Sequence, residues 1–419
     1  MSAATTSSDY LSRLRRRFRQ HRPAWWSLRL LYVLLVIAIF ADFLANERPI
    51  IAKYEGAWHF PVFRQYSDAL GFTTDQNRSF DYWQQRDYDF CWLAPIPYSP
   101  ATQDRRNRQF VGPLDEQRIE SWRFRHWLGT DEIGRDVAAG MIGGTRTAML
   151  VGLIAMSIAT VIGIFFGAVA GYFGNRGVRW QRGQLLIGIL ALPLAYFYAF
   201  VAGSVSSDFS VGVILGRVLM FSVIVGVLFG VGKVLPLPGW WRRPVVLPLD
   251  SLVMRGIETM NSIPALLLLL AVVAAIGEPS ILYVMIIIGL IRWTGIARFV
   301  RAELLRIRQL TYIEAARALG YGHWRILLRH ALPNALGPVL ITTAFGIASA
   351  ILLEALLSFL GIGVAANEVT WGSLLSSARR NVSAWWLAVF PGLAIFVTVT
   401  IFNLIGEGLT EAMEGRSSN

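Results

Sequence analysis

Three groups of side chains in this 419-residue sequence are of types that could do chemistry, and none has the spacing that the chemistry needs. Asp131, Glu132 and Asp136 could act as general acid and base, a task that requires carboxylates in unlike environments. The plainer account is an extramembrane helix ahead of an apolar span, held by these charges. Gly230, Gly232 and Lys233 resemble a phosphate loop, but the GxxxxGK[ST] spacing fails and Val234 stands where Ser or Thr must ligate magnesium. Gly361, Gly363 and Ala366 spell GxGxxA with no strand before them. The one cysteine, Cys91, cannot form an intramolecular disulfide, and no Cys/His cluster has metal-ligand spacing. No nucleophile, base and orienting group come together, so the sequence predicts no catalytic residue, no cofactor or metal in this chain, and no enzymatic activity.

The elements that would carry these residues are set by apolar blocks. The chain is 54% hydrophobic and 16% charged, against roughly 25% charge in an average soluble protein. Its apolar residues run in blocks near the ~20 residues that a helix needs to cross a bilayer. The net charge of +12 does not indicate nucleic-acid binding, because the arginines lie between apolar blocks with no groove-entering or stacking element beside them. Arg13, Arg15, Arg16, Arg17, Arg19, Arg22 and Arg29 crowd the amino terminus. Under the positive-inside rule residues 1–27 are therefore cytoplasmic and 28–45 are an uncleaved first span.

Residues 46–140 read as a small proline-rich external domain and pre-span segment, and 141–419 as the main membrane domain. The second span, 145–173, carries Gly163, Gly167 and Gly171 at a spacing that lets helices approach closely in lipid. Arg176, Arg179 and Arg182 place its end in the cytoplasm. An apolar pair at 184–203 and 211–235, joined by 204–210, goes out and returns; Arg217 within it should snorkel or face protein. Spans follow at 262–276, 281–296, 336–360 and 385–405, the first two separated at Gly277, Glu278 and Pro279. This makes eight. Arg379 and Arg380, in the external segment 361–384, run against the charge rule. Glu354 lies within a span, where it could line a pathway or pair with a neighbouring helix. Glu258 and Asn261, at the entrance of the fifth span, suit a cap or gate contact.

The most informative segment is 311–333, on the arginine-rich side between two spans. Residues 312–319 favour a helix whose alanines, Ala315 and Ala316, let a partner surface approach. Gly320 and Gly322 permit a sharp turn. Trp324, Ile326, Leu327 and Leu328 give a second short helix with an apolar side, and Pro333 marks a break before the next span. Such a helix-turn-helix is a lever that converts a partner's motion into movement of the spans.

Glu314, Ala315 and Ala316, then Gly320, then Leu332 and Pro333 resemble the EAA loop of ABC importer permeases, which docks in a groove of the ATPase subunit. The sequence from Arg329 through His330, Ala331, Leu332 and Pro333 to Asn334 resembles the oligopeptide and dipeptide branch. Two further blocks agree. His126, Trp127, Leu128, Gly129, Thr130, Asp131, Gly134, Arg135 and Asp136 are similar to that branch's HxLGTDxxGRD motif. Ser358, Phe359, Leu360, Gly361, Ile362 and Gly363, with Trp371 and Gly372, are similar to its external loop. Lys53, Tyr54, Glu55 and Gly56, with Phe60, Pro61, Val62 and Phe63, resemble the external domain of the permease for peptides and microcin C.

The resemblance implies an all-α membrane-embedded type I importer domain working by alternating access, with Glu314, Ala315, Ala316, Gly320, Trp324, Leu332 and Pro333 as the ATPase-coupling residues. It implies as partners a second homologous permease, two ABC ATPase subunits that hold ATP and magnesium, and a periplasmic substrate-binding protein. It also implies the bacterial inner membrane, with both termini cytoplasmic. Glu314 could instead cap its own helix near Arg317. The helix pair at 184–235 and the external domain depart from the usual six-span pattern. A proton-coupled secondary transporter acting alone would show paired intramembrane carboxylates and no docking loop; a membrane enzyme built on the external domain would show a catalytic grouping.

Overall fold

Helices form where the apolar blocks lie, and the computed structural model describes them over residues 7–54, 56–69, 88–175, 178–202, 211–234, 239–277, 280–363, 365 and 368–414. Glu55, Arg176, the connection 204–210, Leu235, Glu278, Pro279 and Ala366 lie outside the described residues. The centre of the molecule is the pair α5 (Val137–Ala168), prolonged by a π-helical turn to Phe173, and α10 (Ile281–Ile307). The glycine stripe of α5 is what brings them together. A Cβ at Gly163 would lie 2.7 Å from that of Ile296, at Gly167 2.6 Å from the Ala297 carbonyl oxygen, and at Gly171 2.8 Å from the Arg301 carbonyl oxygen. In lipid there is no water to expel, so association rests on such van der Waals fit, which only residues without a side chain allow here. Against this pair pack α13 (Leu332–Phe359) and α15 (Trp386–Glu414), whose Ile347, Ile351 and Phe402 join Ile296, Val300, Leu304 and Ile307 of α10 in the main core.

The amino terminus is helical in two pieces. The basic α1 (Ser7–Gln20) lies against α15, and α2 (Arg22–Ile39) begins earlier than the expected residue 28, because the His21 ring accepts the Ala24 N–H at 3.1 Å and caps it. A proline within the first turn costs nothing there, since that N–H has no intrahelical partner. The short α3 (Ala41–Leu44) follows, then the external domain: β1 (Ile51–Tyr54) between β2 (Ala57–His59) and β3 (Phe90–Trp92), all antiparallel, with α4 (Pro61–Ala69) alongside. Arg146 of α5 fastens this domain. It donates to Asp42 Oδ2 at 2.8 Å, to the Ala38 carbonyl at 3.0 Å and to the Tyr66 hydroxyl at 3.2 Å.

The apolar pair is α6 (Arg182–Tyr196), continued by a π-helical turn to Val201, and α7 (Val211–Val234), and these two pack mainly on each other. At its foot β4 (Val178–Gln181) pairs antiparallel with β5 (Pro244–Leu247), so the chain enters and leaves the pair at one place. Arg217 is half-buried in α7.

All eight apolar blocks are helical, yet they are not eight straight spans. Six helices are long and apolar enough to cross a membrane among the described residues. The apolar stretch of α7, Gly216–Gly232, is shorter. The expected fifth span is half of a bent pair, α8 (Leu249–Ser262) and α9 (Ala265–Ile276), turned by 81°. Pro264 forces the extended backbone of Ile263 and removes a helical donor, which accounts for the bend.

Replacing Gly167 with Leu should drive a side chain into the α10 backbone and lower the yield of monodisperse detergent-purified protein more than fivefold. The same change at Gly188 of α6, where a Cβ meets nothing within 4 Å, should leave it unchanged. Size-exclusion profiles of the two variants decide this.

Candidate functional site

The segment 308–331 leaves the end of α10 and returns to α13 through two short helices. Helix α11 (Thr311–Ala318) ends in a Schellman turn: the Gly320 N–H donates to the Arg317 carbonyl at 2.9 Å and the Tyr321 N–H to the Ala316 carbonyl at 3.2 Å. This geometry puts Gly320 at φ +79, left-handed backbone open to glycine at no steric cost. A Cβ there would touch nothing, so the demand is conformational and not spatial.

Helix α12 (His323–Ile326) runs through a π-helical turn, Leu327–Ala331, straight into α13. The break expected at Pro333 is therefore absent, because Pro333 falls in the first turn of α13, where no donor is missed. His323–Phe359 is one continuous rod that joins the loop to a span.

The two faces of this loop differ. Ile313, Ile326, Leu327 and Ala331 are fully buried in the main core with Leu304 and Ile307 of α10. Ala316 is also turned inward, so it packs on its own protein and only Ala315 of the alanine pair is exposed. Outward stand Leu319 (72% exposed), Trp324 (60%), Leu328 and Tyr312. Glu314 is exposed beside them, and among the described residues neither Arg317 nor any other group engages its carboxylate. Leu332 is half-buried against the core and Pro333 is exposed. The Trp324 ring lies 5.5 Å from that of Phe173, so α12 also bears on the last turn of α5. Beside it Arg301 and Asp250 make a two-pronged ion pair that ties α8 to α10.

The loop, α1 and the end of α15 share one end of the bundle. His21 Nε2 is 3.4 Å from Glu411, and the methyl of Met413 fills the space beside Gly337 near the start of α13. The external domain is at the opposite end.

At that opposite end the segment 126–136 is not the expected helix but a hydrogen-bonded knot. His126 is wholly buried, its Nδ1 2.7 Å from Asp136 and its Nε2 3.3 Å from Asp104, with the Tyr98 ring stacked on it at 4.4 Å. Burial alone would lower the imidazole's pKa, but hydrogen bonds and charge from Asp104 and Asp136 outweigh it and hold it at about 9. Burial likewise raises Asp104, while His126, Asn107 and the Arg106 N–H bring it down to about 2. Asp131 accepts from the Ile133 and Arg135 N–H groups and from the Arg135 guanidinium. Asp136 caps α5 by accepting the Ala139 N–H at 2.7 Å. Every carboxylate considered for acid-base chemistry is thus committed to the fold, Glu132 included, since Arg380 pairs with it. That pairing also gives a carboxylate partner to Arg380, one of the two arginines that run against the charge rule.

Glu354 is buried in α13. The Ser358 hydroxyl donates to it at 2.5 Å and Thr370, which caps the short helix α14 (Trp371–Ala378), also bears on it. Trp371 is buried, donating to the Met141 carbonyl at 3.1 Å, and Gly372 lies where a Cβ would sit 2.3 Å from the Ala355 carbonyl oxygen. Helix α14 therefore packs among α5, α13 and α15. Asn261 accepts from Thr294 of α10 at 3.2 Å, and Glu258 is exposed. Asp104 escaped the sequence reading because 22 residues separate it from His126 and no periodicity links them.

Residues 235–418 match the family described as binding-protein-dependent transport system inner membrane component, and residues 10–59 match the N-terminal TM domain of oligopeptide transport permease C. Over 404 residues the chain is 28% identical to the inner membrane ABC transporter permease protein YejE of Escherichia coli (strain K12), covering 95% of each chain. It is 27% identical over 423 residues to the peptidoglycan transport system permease protein YejE of Agrobacterium fabrum, covering 96% of this chain and 92% of that one. A putative peptide transport system permease protein of Brucella suis biovar 1 is 40% identical over 200 residues, 48% of this chain and 64% of its own.

The knot makes the outer end pH-sensitive in a defined direction. His126 is raised from 6.5 to about 9, so its contribution is complete below 6.5 and is lost as pH climbs through about 9. Asp104 is lowered from 3.8 to about 2, so its contribution is complete above 3.8 and disappears as pH falls through about 2. Thermal unfolding of the purified protein should show a plateau from about pH 4 to 6, a decline that sets in near pH 6.5, and no further loss from His126 above about pH 9. In His126→Phe the alkaline decline should be gone; a decline of the same size would show that another group causes it.

Proposed function

We infer that this chain, a member of the binding-protein-dependent ABC importer permeases, is the membrane subunit through which peptides or peptide-like compounds pass by alternating access. The observation that carries this reading is the two-faced loop at 311–333: its inner face is locked into the core, and its outer face exposes Glu314 and Leu319 together with Trp324, which lies beside Phe173 and is still 60% exposed. An exposed apolar patch on a rigid mount marks a protein-protein contact. The continuous rod from His323 to Phe359 supports a mechanical role, since a force on α12 is delivered to a span without a flexible joint.

On this reading two ATPase subunits, holding ATP and magnesium, grip the loop and do the hydrolysis, and this chain contributes none. A second permease of the same family completes the pore, and a periplasmic binding protein delivers the peptide. The names of the relatives support peptides, and the Agrobacterium relative extends that to peptidoglycan fragments. The arginine-rich flanks, the shared end of both termini and the loop, and the positive-inside rule support a bacterial inner-membrane location with that end in the cytoplasm. The hydroxyls of Ser358 and Thr370 that engage Glu354 favour a structural role over a pathway role. The external domain, mounted on Arg146, is suited to seating the carrier.

In vesicles reconstituted with the whole complex, Gly320→Ala should reduce ATP-driven peptide uptake about fivefold or more, since left-handed backbone costs an L-residue roughly 1–2 kcal/mol. Gly320→Asn should fall less. Both should still copurify with the ATPase. Uptake at the wild-type rate in the alanine variant would overturn the lever. Trp324→Glu should instead release the ATPase during affinity purification, and full retention would move the contact elsewhere.

A further inference from the structure

A charged side chain inside a span must find a partner or open space that can hold one, and among the described residues Arg292 of α10 has only the second. It lies 11 residues after Ile281, about 16 Å along the helix. Its Nε is enclosed and unbonded, and no ion pair reaches its guanidinium among the described residues. Asp250 is paired with Arg301, Glu303 with Arg306, and Glu354 accepts from Ser358, so none of these three carboxylates is free for Arg292. Arg292 lines a cavity of about 480 Å³ between α10 and α13, open on one side, with Gly295, Phe299, Thr342, Phe345 and Ser349. The Thr342 hydroxyl donates to the Pro338 and Val339 carbonyls, which leaves its oxygen free to accept an N–H from an occupant. A Cβ at Gly295 would meet nothing within 4 Å, so the space beside the guanidinium is real.

We propose that Arg292 is the anion-recognition site of the translocation path and takes the terminal carboxylate of the peptide in transit. The proposal rests on the importer reading above. The chemistry is specific: a guanidinium out of water presents a planar fork that matches a carboxylate, and the phenyl walls of Phe299 and Phe345 suit an apolar side chain next to it. A free inorganic anion would gain nothing from those walls, whereas a peptide end gains from both.

The test uses the whole complex in proteoliposomes with carrier saturated by labelled Ala-Leu-Phe or by its C-terminal amide. Arg292→Gln should lower ATP-driven uptake of the free acid tenfold or more and change uptake of the amide less than twofold. Gly295→Val, which puts a branched side chain into the cavity where a Cβ meets nothing within 4 Å, should lower both at least fivefold in a complex that assembles normally. An Arg292→Gln complex with an unchanged acid-to-amide ratio overturns the proposal, as does equal loss of both peptides or full uptake by Gly295→Val. Loss of the second permease from the purified Arg292→Gln complex would also overturn it, by assigning the guanidinium to a carboxylate of that subunit. A wild-type complex that moves neither peptide with ATP removes the importer reading itself, whereas normal wild-type uptake with an unchanged ratio removes this proposal alone.

Discussion

The contact on which the other parts rest is the seam between α5 and α10, where three glycines let one backbone lie against another. It fixes the two helices whose inner ends support the loop, through Phe173 on one side and Leu304 and Ile307 on the other. It also fixes the outer end, since α5 begins at the Asp136 cap and carries Arg146, the clasp of the external domain. A change at one end of α5 is therefore felt at both, because a helix packed this closely has no room to shift by parts.

Much of this was legible in the sequence because the signals were local. The glycine spacing predicted a close helix contact, though only the structure names α10 as the partner. The positions of Gly320 and the apolar residues after it predicted a turn between two short helices, and the turn follows the hydrogen-bond pattern that glycine at that place allows. The apolar blocks predicted helices throughout. Composition cannot tell a straight span from a bent one, and so the 81° turn at Pro264 was read as the start of a span.

The failures share a cause, which is contact between residues far apart in the chain. Ala316 faces its own core because Ile313 and Ile326 set the phase of the loop against α10, and no local pattern reports that. The knot around His126 draws on Asp104, which lies 22 residues away in the chain. Arg292 could have been noticed, being a charge within a predicted span, but nothing local distinguished a cavity-lining site from a paired one. A proline rule applied without position also misled: Pro333 was expected to break the chain before a span and instead stands in the first turn of α13.

The small ladder at the foot of α6 and α7 has its own implication. Four residue pairs join Val178–Gln181 to Pro244–Leu247, so the remainder of the chain meets this excursion as a closed stitch of fixed width. Whatever hangs from such a stitch can grow, shrink or diverge without retuning the registry of the transport machinery around it. The length and sequence of α6 and α7 are thereby separated from the packing of α5, α10, α13 and α15.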